Sequence, residues 1–240
     1  MNESYSYGQL YMKYAAELSK ATTREYTGHR DKIHAVGWSC DGRKLSAGCT
    51  DGSCHVWSAQ KERQPFVLRG HKQSIDRLVW DPSNADVLAT GSIDKTIRIW
   101  DIRQKSSTHT VDVGAAVLNM AWKADGSCIA VGTKSDTISF IDPRGGSGST
   151  DAHQWITHQI QNDIEINEIG WTMQGNHLIA ATGYGQLRIY QSDTFELVHS
   201  VAGHTANCFC LAFDPHGQYL ILKQVHGKWR WRRDSDNMGS

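Results

Sequence analysis

Five aromatic residues in this chain keep step. Trp38, Trp80, Trp122, Trp171 and Phe213 are separated by 42, 42, 49 and 42 residues. A second series, Trp57, Trp100, Ile141 and Tyr190, advances by similar intervals. Recurrence at this period marks a supersecondary unit that cannot bury its apolar faces alone, so neighbouring units must stack and share a core.

The clearest unit runs from Gly70 to Asp101, GHKQSIDRLVWDPSNADVLATGSIDKTIRIWD. Ser74–Trp80 ends at the turn DPSN, Val87–Ser92 ends at IDKT, and Ile97–Trp100 ends at Asp101. Val, Ile, Leu and Trp in short runs, bounded by Asp, Asn, Pro and Gly, predict strands joined by tight turns. With a fourth strand after Asp101, each unit is an antiparallel four-stranded sheet and the chain is all-β.

A Gly-His opening, a Trp-Asp close and this period together resemble the WD40 family, whose repeat is one blade of a β-propeller. The resemblance implies a buried hydrogen-bonded relay of the repeat's His, a strand Ser or Thr, the turn Asp and the Trp. The matching residues are His71, Ser92 in preference to Thr90, Asp94 and Trp100. The unit before it repeats His29, Asp51 and Trp57, with Cys49 where the second has Ser92, and the fifth regains His204. A catalytic His/Ser/Asp triad is the competing reading, but triads do not recur at a fixed period. The third unit has Val113 and Ile141 at the His and Trp positions and the fourth has Asn162 and Tyr190, so apolar packing is expected to hold those two.

The bulk composition argues against several classes. Twenty-five basic residues balance 25 acidic ones, which removes any whole-chain electrostatic case for nucleic acid or an anionic membrane. No apolar run approaches the ~20 residues of a membrane span, and the first residues lack a signal-peptide pattern. The six cysteines form no CxxC pair and read as reduced core thiols of a cytosolic or nuclear protein. There is no HExxH, no GxSxG and no paired Cys/His spacing. No enzyme activity, catalytic residue, cofactor, metal or small-molecule substrate is therefore expected.

The chain divides into an N-terminal extension (1–23), repeats (24–222) and a non-repeat tail (223–240). Leu10–Leu18 suits a short helix with Leu10, Tyr14 and Leu18 on one face. The 49-residue step places an insertion at Pro143–Asp151, whose Gly and Ser predict a surface loop. After Leu220 the repeat pattern stops within a unit. Lys228–Arg233 interleaves Arg with Trp229 and Trp231, which would suit single-stranded nucleic acid. The break within a unit favours unrelated coding, introduced by splicing or a frameshift, over a nucleic-acid site. Nothing in the tail reads as a replacement strand set.

Several runs carry a narrower likeness: Thr23–Leu45, Ser74–Asn84, Asp94–Asp101, Ile129–Asp142, Ile166–Trp171 and Ala206–Leu220. Together they resemble the THO complex subunit 3 family of WD40 proteins over roughly residues 23–222. That resemblance implies a propeller of about seven blades. It also implies a non-catalytic nuclear subunit of a complex that couples transcription to mRNA packaging and export. Its partners would be other THO complex subunits and mRNA export factors, with RNA met only indirectly and no membrane. Gly28 to Leu222 spans 195 residues, about four units and a partial fifth, so an incomplete propeller with open ends is expected. Aggregation or partner dependence would follow from such edges. By register with WD40 proteins, the contact positions would be Lys32 and His34, Ser74 and Asp76, Ala116 and Leu118, Glu165 and Asn167, and Asn207 and Phe209. An adaptor of another nuclear or signalling complex, or a non-functional truncated isoform, is the alternative.

Overall fold

The computed structural model describes residues 12, 15–17, 19–60, 64–104, 106–145, 155–202, 204–214, 217, 219–224 and 229–233. The first sheet holds β1 (Ile33–Trp38), β2 (Lys44–Cys49), β3 (Ser53–Ser58) and β4 (Phe66–Arg69). The second holds β5 (Ile75–Trp80), β6 (Val87–Ser92), β7 (Thr96–Asp101) and β8 (Ser106–Asp112). The third is β9 (Val117–Trp122), β10 (Ile129–Thr133), β11 (Thr137–Ile141) and β12 (Ile156–Gln161). The fourth is β13 (Ile166–Trp171), β14 (His177–Thr182), β15 (Gln186–Gln191) and β16 (Leu197–Ala202). A three-stranded fifth is built from β17 (Cys208–Phe213), β18 (Tyr219–Gln224) and β19 (Trp229–Arg233). Every sheet is an antiparallel meander in chain order. This is an incomplete β-propeller of four blades and a partial fifth.

The core is divided among the sheets rather than gathered at a centre. Four apolar clusters lie between successive sheets, the first joining Leu68 and Val56 to Ile75, Leu78 and Trp100. Leu88 belongs to that cluster, and its neighbour Ala89 belongs to the next one with Ile97 and Val117. A middle strand is therefore apolar on both faces, which is why β10 reads IAVGT without alternation and is buried throughout. Trp80 is the tie between the first two sheets. Its Nε1 donates to Ser46 Oγ at 2.8 Å and lies 3.2 Å from Gly37 O. Gly37 must be small, since a Cβ there would stand 2.7 Å from Leu78 Cδ1.

The turn between the second and third strands repeats from sheet to sheet. Asp51 Oδ1 accepts the Ser53 N–H at 2.9 Å, and Asp94 Oδ1 accepts the Thr96 N–H at 3.0 Å, both Asx-turns. The residue after each Asp is left-handed: Gly52 at φ 77° and Lys95 at φ 71°. Beside these turns the loops leading into the first strands are pinned the same way. The carbonyls of Lys32, Ser74, Ala116 and Glu165 accept the N–H groups of Thr50, Ile93, Lys134 and Gly183 at 2.8–3.1 Å. One end of the propeller is thereby assembled from these paired loops.

Two expectations need correction or restriction. Trp229–Arg233 is a strand, paired antiparallel to β18 with Leu220 opposite Arg232 and Leu222 opposite Arg230. The tail thus supplies the third strand of the fifth sheet. Alternating Trp and Arg is β-prone in its own right, and pairing satisfies the backbone edge that β18 would otherwise present. Arg24–Thr27, which leads into the first sheet, lies in no sheet, in keeping with a propeller left open at its ends. Instead Arg24 Nη1 donates to the Ala59 carbonyl and Thr27 O accepts from Trp57 Nε1. The insertion falls between β11 and β12, but Gly146–Asp151 lies outside the described residues, as do Leu10, Tyr14 and Leu18 of the expected helix.

Candidate functional site

In the second sheet the polar residues form a continuous chain. The indole of Trp100 donates to Thr90 Oγ1 at 2.8 Å, and Thr90 Oγ1 lies 2.7 Å from His71 Nε2. The other imidazole nitrogen, Nδ1, stands 3.0 Å from Asp94 Oδ2. With Asp94 ionised and the imidazole neutral, Nδ1–H donates to Asp94, Nε2 accepts from the Thr90 hydroxyl, and that hydroxyl accepts from the indole. Asp94 also accepts from Lys72 N and from the Thr96 hydroxyl. Burial depresses the basicity of His71 against the opposing pull of Asp94. Burial would raise Asp94, but the hydrogen bonds from Thr96 and Lys72 and the nearby imidazole outweigh it and bring its pKa down to about 2. Every group is paired and His71 is 8% exposed, so the network braces the blade.

The serine assignment is corrected here. Ser92 stands outside the chain; its Oγ donates to Gln73 O and accepts the Asp94 N–H. Thr90 carries the relay, and this changes the reading of the first sheet. The residue at Thr90's position there is Ala47, so no hydroxyl joins His29 to Trp57. Trp57 is buried but donates instead to Thr27 O at 3.2 Å. Asp51 accepts twice from Ser53, and no hydrogen bond ties His29 to it. The expected relay of His29, Asp51 and Trp57 is not formed.

The fourth sheet has a bridge that sequence reading assigned to apolar packing. Tyr190 Oη donates to Asn162 Oδ1 at 2.5 Å, Arg188 Nη1 reaches the same oxygen at 3.2 Å, and Asn162 Nδ2 donates to Asp136 O. The third sheet is apolar at both positions, with Val113 and Ile141 buried. In the fifth, His204 is buried and its N–H donates to Gly185 O.

The positions proposed for partner contact divide. Lys32, His34, Glu165 and Phe209 are exposed, whereas Asp76, Ala116, Leu118, Asn167 and Asn207 are half-buried. Ser74 is 8% exposed and donates to Asp76 Oδ1, so it shapes the loop rather than meeting a partner. A group missed from the sequence lies one residue further on. Arg77, Asn119 and Glu168 occupy one register position on successive first strands. Arg77 Nη2 is 3.4 Å from Asn119 Oδ1 and 3.9 Å from Glu168 Oε2. Burial raises the Glu168 pKa, opposed by Arg77. The 42- and 49-residue steps between them were the available signal.

A cavity of about 1020 Å³ opens between the N-terminal segment and the outer first sheet, lined in part by Arg24, His29, Asp51, His55, Trp57 and Arg69. At its edge one imidazole nitrogen of His29, Cys49 Sγ and a carboxylate oxygen of Asp51 lie within 4.8 Å of one another. Among the described residues this is the group able to hold a metal ion.

Comparison with known proteins agrees with this architecture. The family model "WD domain, G-beta repeat" matches residues 20–58 and 62–101, and the model "Anaphase-promoting complex subunit 4 WD40 domain" matches 151–216. THO complex subunit 3 of Arabidopsis thaliana is 33% identical over 83% of this chain and 62% of its own length. WD repeat-containing protein AAC3 of Dictyostelium discoideum is 28% identical over 85% of this chain and 46% of its own. The chain therefore spans about half to three-fifths of these relatives. A chain from a crystal structure of the mitotic checkpoint complex shares the fold, with a TM-score of 0.77 at 21% identity, over 90% of this chain and 66% of that one. Repeat period, stacked four-stranded sheets and family match agree: the chain is a WD40-repeat protein.

Proposed function

We propose that this chain is a non-catalytic scaffold of the THO complex, acting in transcription-coupled mRNA processing and nuclear mRNA export. Its partners are other THO complex subunits and export factors, and it meets RNA only through them. The observation that carries this reading is the 33% identity to THO complex subunit 3 across 83% of the chain. The rigid end built from paired loops supports a binding role, since loops held by a stiff scaffold are where such proteins make contacts. Of the candidate contact positions, Lys32, His34, Glu165 and Phe209 are the exposed ones.

The test is affinity purification of the tagged chain from nuclear extract, followed by identification of what co-purifies. THO subunits and export factors are expected, with weak, salt-sensitive RNA binding by the purified chain alone. Recovery of a different defined complex without THO subunits would overturn the reading. One observation favours that second case, an adaptor of another nuclear complex: the match of residues 151–216 to the anaphase-promoting complex subunit 4 model.

A further inference from the structure

We propose that His29, Cys49 and Asp51 form a zinc-binding site in the first blade. Three observations lead there. The three donor atoms lie within 4.8 Å of one another although they come from the loop before β1, the end of β2 and the β2–β3 turn. Both ring nitrogens of His29 are buried atoms without a well-aligned partner, the Ala47 backbone being a weak neighbour, whereas the equivalent His71 has both nitrogens engaged by side chains. Unpaired buried nitrogens are costly and rare, and coordination is one way to satisfy them.

The third observation is the residue exchange itself. Relative to the second blade, Thr90 is replaced by Ala47 and Ser92 by Cys49. The hydroxyl that would have used His29 is gone, and a thiol has been placed beside it. Imidazole, thiolate and carboxylate form the mixed N/S/O set that suits Zn²⁺. A tetrahedral ion with bonds of about 2.0–2.3 Å holds its ligands about 3.3–3.7 Å apart, so the donors close by about an ångström. Asp51 is exposed, its Oδ1 stays on Ser53, and its side chain already hydrogen-bonds the Cys49 thiol, so carboxylate and sulfur are neighbours before an ion arrives. His55 stacks on His29 with ring centroids 3.8 Å apart and steadies the imidazole. The cavity beside His29 and Asp51 gives the ion a route in and leaves room for a fourth ligand. On binding, Cys49 forms the metal–sulfur bond and releases its thiol proton to solvent. The ion then ties the loop before β1 to the β2–β3 turn, the task that Thr90 and Asp94 perform around His71.

The test titrates the full, reduced, metal-free chain with Zn²⁺, and separately with Co²⁺ as a spectroscopic probe. One equivalent of Zn²⁺, a rise in melting temperature, and a cobalt–thiolate charge-transfer band are expected. Cys49→Ser should abolish the band, and Asp51→Asn, an exposed and nearly isosteric change, should weaken Zn²⁺ binding tenfold or more. Cys40→Ser, at an exposed thiol, should leave both unchanged. Absence of stoichiometric uptake overturns the proposal. So does a cobalt band that survives Cys49→Ser or disappears in Cys40→Ser.

Discussion

His71 Nε2 lies 2.7 Å from Thr90 Oγ1 in the second blade, and the equivalent pair in the first blade, His29 and Ala47, has no side-chain hydroxyl to share. In these two blades that position decides whether a hydroxyl joins the histidine to the indole. Thr90→Val keeps the shape of the side chain while removing the partner of both His71 and Trp100. Unpaired buried donors and acceptors cost about 1–3 kcal/mol, so a loss of that order is expected in urea unfolding. Ser92→Ala, which strips one carbonyl contact and one turn N–H, should cost less. Equal losses would return the relay to Ser92.

The reverse exchange is available in the first blade. Ala47→Thr places a hydroxyl at the position equivalent to Thr90, where neither His29 ring nitrogen has a side-chain partner. A gain of about 0.5–1.5 kcal/mol is expected in the metal-free chain, the net worth of a typical buried hydrogen bond. A loss of stability would show that the first blade has closed over the space the hydroxyl needs.

Much of this fold was legible because one measurement repeats. The 42-residue spacing fixed the number and order of sheets, and the double-faced apolar strands followed from it. The relay residue was less accessible. Thr90 and Ser92 are two apart on β6 and so share a face, and which of them the indole meets depends on how Trp100 leans along its strand. The Tyr190–Asn162 bond was hidden for another reason: neither residue matches the usual His and Trp, although both are competent partners. The grouping of His29, Cys49 and Asp51 joins residues too far apart in sequence for a metal-spacing pattern to reveal. The β19 strand was missed because its alternation belongs to no repeat.

Acid should act on the second blade in two stages. The native His71 has a lowered pKa, so the unfolded chain takes up a proton near pH 6.5 before the folded one does. Stability contributed there falls as pH drops below that value. Asp94 is protonated near pH 3.8 when unfolded but only near about 2 when folded, so a second loss follows in that window. Urea midpoints measured from about pH 7.5 to 3 should decline throughout. Asp94→Asn should flatten the lower part, and an unchanged slope there would exclude Asp94 as its source.

In the fourth blade, Tyr190→Phe removes the hydroxyl that meets Asn162 while leaving the ring in place. Asn162 is 6% exposed and its oxygen would keep only the longer contact from Arg188. A destabilisation of about 1–2 kcal/mol is expected from the unfolding midpoint. A neutral result would mean that packing alone holds this blade.

Trp38 and Trp80 occupy the same place on successive first strands, and the sheets treat them differently. Trp80 is 8% exposed, packed in the cluster between the first two sheets and bonded through its indole to Ser46. Trp38 is 53% exposed, and Val36 beside it is 66% exposed, because no described sheet covers that face. Replacing a packed Trp by Ala typically costs about 3–5 kcal/mol, whereas an exposed site changes stability by about 0.5 kcal/mol or less. Trp80→Ala is therefore expected to unfold the chain at far lower urea, while Trp38→Ala leaves the midpoint nearly unchanged. Protein concentration separates the two explanations for any other result. If Trp38→Ala is destabilising and the wild-type midpoint rises with concentration, a second copy covers this face in solution. If the loss is independent of concentration, Trp38 is covered by residues of its own chain, and the first sheet is less open than its exposure indicates.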